Sequence, residues 1–158
     1  MYLLGGWALA NMSTGVFGWA RYENEQKYFH QMNAAWNLVN AGIATYALLS
    51  MDRDGPEGLS GQELMRRHIR SEHIYLINAG LDLLYMAGGA LMIHAAGNST
   101  TRPGLLKGYG QSVLLQGGFL FLFDLAKFGI QYRRRQHFEA SLLGAGISPH
   151  GLSVVIAF

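Results

Sequence analysis

Residues 74–94 read IYLINAGLDLLYMAGGALMIH, and the reading of this stretch decides the fold. At about 1.5 Å per residue, one helix over this length crosses the roughly 30 Å hydrocarbon layer of a bilayer. Its composition is apolar with two exceptions, Asn78 and Asp82, four residues apart and therefore on one helical face. A carboxylate at mid-depth in a lipid-length helix costs about 3 kcal/mol or more unless it is paired, protonated or wet. Asp82 is thus the first candidate for function, with Asn78 beside it as the other member of a catalytic or ligand-anchoring pair.

Outward from this helix, three more apolar runs are expected to cross the membrane. Helix I is predicted over Leu3–Ala20, with Asn11 near its middle and Trp7 and Trp19 towards its ends, where interfacial aromatics belong. RYENEQK (21–27) reads as a short charged connection. Helix II is predicted over Tyr28–Met51, where Asn33, Asn37 and Asn40 recur at i, i+4 and i+7 as one stripe that His30 extends towards the helix start. DRDGPEGLSG (52–61) is a loop by its Gly, Pro and Asp content. Ser60 followed by Glu63 is a capping box, so helix III should start in water near Gly61 and run unbroken past Ile74 to Gly97. GNSTTRPG (97–104) is the next loop. Helix IV is predicted over Leu105–Tyr132, ended at an interface by Arg133, Arg134 and Arg135. It places Ser112, Gln116 and Asp124 roughly on one face, with Lys127 one turn beyond Asp124 as its natural ion partner.

The fold expected is all-α: a four-helix transmembrane bundle over 1–135, then a tail over 136–158. Leu152–Phe158 is too short to span as a helix and reads as a strand or an interfacial segment. Composition agrees: of 158 residues half are hydrophobic and only 14% are charged, while 21 are Gly, which lets membrane helices pack closely. There is no Cys, which excludes disulfides, thiolate metal sites and a Cys nucleophile. Basic residues sit at the ends of apolar runs and form no nucleic-acid stripe, so no nucleic acid is expected as partner. Seven arginines (Arg53, Arg66, Arg67, Arg70 and Arg133 to Arg135) fall on the side of the II–III loop and the C-terminus. Four cations (Arg21, Lys27, Arg102 and Lys107) fall on the other, which puts both termini in the cytoplasm.

Placed by the same rise per residue, Asn11, Asn40, Asp82 and Gln116 share one central layer. Asn78 and Asp124 lie towards the II–III loop side, and Asn33 and His30 towards the opposite one. The plainest reading of Asn11, Asn40 and Gln116 is hydrogen-bonding glue between helices, and of Phe119, Phe121, Phe123 and Phe128 lipid contact or packing. His30, His68, His73 and His94 fall near helix ends or in water, so no pair of axial haem ligands sits at mid-depth; no metal or cofactor is expected. No dinucleotide, phosphate-loop, nucleophile-elbow or zinc-protease motif occurs.

YFHQMNAAWNLVNAGIA (28–44), INAGLDLLYMAGG (77–89) and GYGQSVLLQGGFLFLFDL (108–125) resemble a family of bacterial membrane proteins, typical of Bacteroidota, known only as a domain of unknown function. The resemblance implies four membrane helices and pattern positions at His30, Asn33, Asn37, Asn40, Asn78, Asp82, Gln116 and Asp124. It implies no activity. The architecture is also similar to compact membrane proteins of the VanZ type, proposed to act on lipid head groups. The leading expectation is therefore a protein that binds or processes a lipid or isoprenoid head group. Asp82 with Asn78 would carry the chemistry, and Asn33, Asn37, Asn40, Gln116, Asp124 and His30 would hold the ligand. The alternatives are a non-catalytic subunit of a larger membrane assembly or homo-oligomer, and a small-solute or proton pathway along Asp82 and Asp124.

Overall fold

The computed structural model describes residues 1–51, 58–144, 147–148 and 151–152. These form four α-helices: α1 (Tyr2–Arg21), α2 (Asn24–Met51), α3 (Gly61–Asn98) and α4 (Pro103–Gly144). Most of the expected II–III loop with Arg53, residues Pro149 and His150, and segment 153–158 lie outside the described residues. In the tail Ile147–Ser148 pairs antiparallel with Gly151–Leu152, so strand-like character among the described residues takes two residues a side.

The capping box forms as expected. The Ser60 N–H donates to Glu63 Oε2 (2.9 Å), and the Glu63 N–H donates to Ser60 Oγ (3.3 Å). From there α3 runs 38 residues without a break, past Ile74 and Asp82.

Two helix ends differ from expectation. RYENEQK is not a loop: Glu25, Gln26 and Lys27 are good helix formers, and α2 takes them in. The reversal between α1 and α2 needs only Tyr22 and Glu23. Tyr22 is extended and its N–H donates to Gly18 O (2.9 Å), and Asn24 then adopts φ 50°, a left-handed conformation Asn accepts more readily than most residues. The arginine triplet does not stop α4, which continues to Gly144. Arg is itself a good helix former, and Arg135 has carboxylate partners at Glu72 (2.8 Å) and Glu139 (3.4 Å) that hold it along the helix. Upstream, Pro103 opens α4 at the position where its missing N–H costs nothing.

The chain divides into two compact units. The first holds α1, α2, α3 from Gly80 onward and α4 as far as Phe121. Glycines set its helix spacing. A Cβ on Gly15 would lie 2.8 Å from Ala34 N, one on Gly110 2.6 Å from Gly89 O, and one on Gly108 would strike the Glu25 carbonyl. Each pair of helices therefore meets backbone to backbone, as small residues allow in membrane bundles. Trp36 of α2 packs edge-on against Tyr85 of α3 (5.1 Å). The second unit joins the start of α3, up to Ala79, to α4 from Leu122. Here Arg135 meets the buried Glu72, His68 packs on Phe138 (5.7 Å), and the Lys127 ammonium lies over the Tyr75 ring (5.6 Å).

The distribution of polarity is inverted relative to a water-soluble domain. Asn33, Asn37, Asn40, Glu72, Asp82, Ser112, Gln116 and Asp124 are buried, whereas Leu3, Phe17, Leu38, Ile77, Leu84, Leu91 and Leu122 are exposed by half or more. Helices α3 and α4 are long and apolar enough to cross a membrane. Glycines, hydroxyls and amides keep α1 and α2 below that measure.

Candidate functional site

The first unit is organised around one carboxamide. Gln116 of α4 is fully buried; its Oε1 accepts the indole N–H of Trp7 (2.8 Å), and its Nε2 donates to Asn33 Oδ1 and, at 3.5 Å, to Asn11 Oδ1. Asn33 in turn donates to Asn11 Oδ1 (3.0 Å). The network then descends α2, where Asn37 Nδ2 donates to Asn33 O (2.8 Å) and Asn40 Nδ2 to Asn37 Oδ1 (3.3 Å). The spacing of these three asparagines puts them on one face, and burial forces each amide to find a partner. A chain of amides of this kind is stiffened by mutual polarisation.

Asn11 and Gln116 thus meet as expected, but their closest level on α2 is Asn33, not Asn40. The earlier start of α2 moves its midpoint by only about two residues, roughly 3 Å; the level of Asn33 is set by the close approach of Gly15 to Ala34, which seats this part of α2 against α1. Asp82 is buried (3% exposed), and its backbone carbonyl lies against Gly117, where a Cβ would sit 3.2 Å away. Asn78 is half-buried and Asp124 buried; both belong to the second unit.

Trp7 was expected at an interface. It is instead a member of the network, its ring stacked on Phe119 (4.0 Å, 3° between planes) while its N–H serves Gln116. The signal available in sequence was Trp7–Asn11, one turn apart, since Asn11 also donates back to Trp7 O (2.9 Å).

His30 heads the α2 stripe and lies at a wall of a cleft of about 430 Å³, with Tyr22, Glu25, Gln26, Phe29 and Gln111. Its ring stacks on Tyr22 (5.3 Å), meets Phe29 edge-on (5.2 Å) and fills the space above Gly18, where any Cβ would collide with it. Its Nδ1 is buried without a hydrogen bond. A second cleft of about 310 Å³ adjoins, and Glu25 lines both. At their shared edge Lys107 Nζ pairs with Glu25 Oε2 (3.0 Å). Below, the Tyr109 hydroxyl donates to Gln31 Oε1 (3.1 Å), tying α4 to α2.

Chemically, the two clefts bring aromatic rings at Tyr22, Phe29 and His30 together with one carboxylate, Glu25, and one ammonium, Lys107. A sequence-family profile described as a family of unknown function (DUF6992) matches residues 3–125. No curated protein and no solved structure matches the chain.

Proposed function

The chain belongs to the family of unknown function DUF6992, and we propose, from its own chemistry, that it is a multi-pass membrane protein whose four helices all span the bilayer and which holds the polar head group of a lipid or isoprenoid. The membrane part is supported by the inverted polarity. Water would penalise the exposed Leu, Ile, Val and Phe faces of all four helices, whereas lipid leaves them at rest and drives the amides inward. The observation that carries the binding part is the position of His30. It stands at once at the wall of an open cleft and at the head of the buried stripe Asn33–Asn37–Asn40, so a head group entering the cleft meets hydrogen-bonding groups continuous with the interior.

In this reading Gln116, Asn33 and Asn11 form a fixed floor, because their amides are already engaged with one another. Among the described residues of this unit Asp82 is a buried carboxylate, and in this reading it is the group that exchanges a proton. A second reading, a non-catalytic subunit of a larger membrane assembly, is favoured by Gly6 and Gly42. Both are exposed and meet nothing within 4 Å, leaving close-approach faces on α1 and α2 for another helix.

The test is native mass spectrometry of the protein released from gentle detergent. The wild-type chain should carry lipid that survives detergent exchange, and His30→Ala should lose it while still unfolding in one cooperative transition. Absence of retained lipid, or equal retention by both, refutes the binding reading.

A further inference from the structure

We propose that the head group is zwitterionic: an organic cation, ammonium or quaternary ammonium, enters the cleft at Tyr22, Phe29 and His30, and the phosphate ester attached to it enters the adjoining cleft at Lys107. This rests on the head-group reading above and names its ligand class.

The first cleft has the chemistry of a cation cage. Three rings converge there, with Tyr22 stacked on His30 and Phe29 set edge-on to it, and Glu25 supplies a carboxylate. Ring faces attract a cation through their quadrupole, most effectively when it is partly desolvated, and recognition of quaternary ammonium uses aromatic walls of this sort. The rest of the lining, Gln26 and Gln111, is uncharged, and the Lys107 ammonium at the cleft's edge is paired with Glu25 (3.0 Å).

The second cleft has the opposite character. Lys107 is a point charge suited to phosphate, and in the first turn of α4 the Gly104 N–H lacks a partner within the helix, Pro103 before it having none to offer. Ile93 and Ala96 give the remaining wall an apolar face suited to the alkyl part of the ester.

Glu25 makes the two clefts one site. It lines both, and its Oε2 holds Lys107 at 3.0 Å. A carboxylate has about four acceptor positions, so it can keep Lys107 and receive a second cation from the other side. The bound pair then reads Lys107 to phosphate and cation to Glu25, an alternation of charge that neither a purely anionic nor an uncharged head group can complete. Glycines fix the spacing: a Cβ on Gly104 would lie 3.4 Å from Glu25 N, and Gly108 admits the Glu25 carbonyl.

Binding is read with the intact chain in lipid nanodiscs doped with phosphatidylethanolamine, phosphatidylcholine or phosphatidylglycerol, and with soluble glycerophosphocholine. The zwitterionic lipids should be enriched at least about tenfold over phosphatidylglycerol, a difference of the size a cation–ring contact with a carboxylate provides. Tyr22→Ala should erase that preference and Tyr22→Phe should keep it, since the ring face is what acts; Lys107→Gln should weaken all the phospholipids alike. Melting temperatures report that each variant folds. Binding of glycerophosphocholine as tight as that of the lipid supports the same chemistry with the free ester as ligand. Equal retention of phosphatidylglycerol and phosphatidylethanolamine overturns the zwitterion proposal and leaves the head-group reading standing. Binding of none of the four probes removes both.

Discussion

Replacing Gln116 by Leu removes the centre of the amide network without emptying space. Leu has nearly the volume of Gln, so packing changes little and the loss is one of hydrogen bonds. Trp7 Nε1, bonded at 2.8 Å, loses its acceptor, Asn33 Oδ1 loses its donor, and the longer 3.5 Å contact to Asn11 disappears. Interhelical hydrogen bonds in membranes average about 0.6 kcal/mol, with a maximum near 1.7. Two good bonds and one long one therefore contribute about 1.5–3 kcal/mol. Trp7 Nε1 is left with nothing to replace Gln116, while Asn33 Oδ1 keeps a long contact from Asn37 Nδ2 (3.5 Å), which places the loss between these limits. At roughly 2–4 °C per kcal/mol for a chain of this length, the melting temperature should fall by about 3–12 °C. Thermal unfolding in one detergent, followed by tryptophan fluorescence, measures this directly, since Trp7 is itself a reporter. The double variant Trp7→Phe with Gln116→Leu should lose less than the two single changes added together. If Gln116→Leu melts with the wild type, the network is not a structural floor and the reasoning fails.

The remaining predictions use the same logic elsewhere. Gly110→Ala should impair accumulation of folded protein, because its Cβ would meet the Gly89 carbonyl at 2.6 Å, whereas Gly118→Ala, which meets nothing within 4 Å, should be neutral or slightly stabilising; detergent-resistant yield compares them. Arg135→Ala leaves the buried carboxylate of Glu72 without its guanidinium and should cost on the order of 3 kcal/mol, with Glu72→Gln in the same chain restoring part of it in a denaturant titration. The Glu63 carboxyl is held below its ordinary range, first by the backbone N–H of Ser60 and then by its hydroxyl. A lowered folded-state pKa contributes stability that is present above the unfolded value and lost as pH falls through the folded one. Amide exchange at residues 61–64 should therefore accelerate on acidification below the usual carboxylate range, and Ser60→Ala should flatten that response.

The existence of the helices was legible because apolar length and a capping box are local signals. Ser60 with Glu63 specified where α3 begins, and the absence of any Gly or Pro between Arg67 and Ile74 specified that it continues. The ends at Tyr28 and Tyr132 were misplaced for one reason: charged residues were read as loop or interface, although Glu, Gln, Lys and Arg are strong helix formers that tertiary partners can keep in a helix. The level of Asn33 is not encoded locally either, because the contact of Gly15 with Ala34 that seats α2 against α1 is tertiary. The stripe of asparagines was visible because a helix repeats every 3.6 residues. The role of Trp7 was not, because the contact joining it to Gln116 spans 109 positions of the chain and nothing local encodes it. The cleft at Tyr22, Glu25 and His30 depended on the two-residue reversal at Tyr22–Glu23 and was likewise out of reach of periodicity.

The account stands on four helices crossing lipid with their amides inward, and sidedness tests this most directly. The chain has no cysteine, so single cysteines can be introduced as Glu23→Cys, Leu59→Cys, Thr100→Cys and His137→Cys and probed in intact cells with a thiol reagent that does not cross membranes. The account predicts labelling at 23 and 100 from outside, and at 59 and 137 only after the membrane is opened. Labelling of 23 and 59 from the same side would show that α2 does not span, and would contradict it.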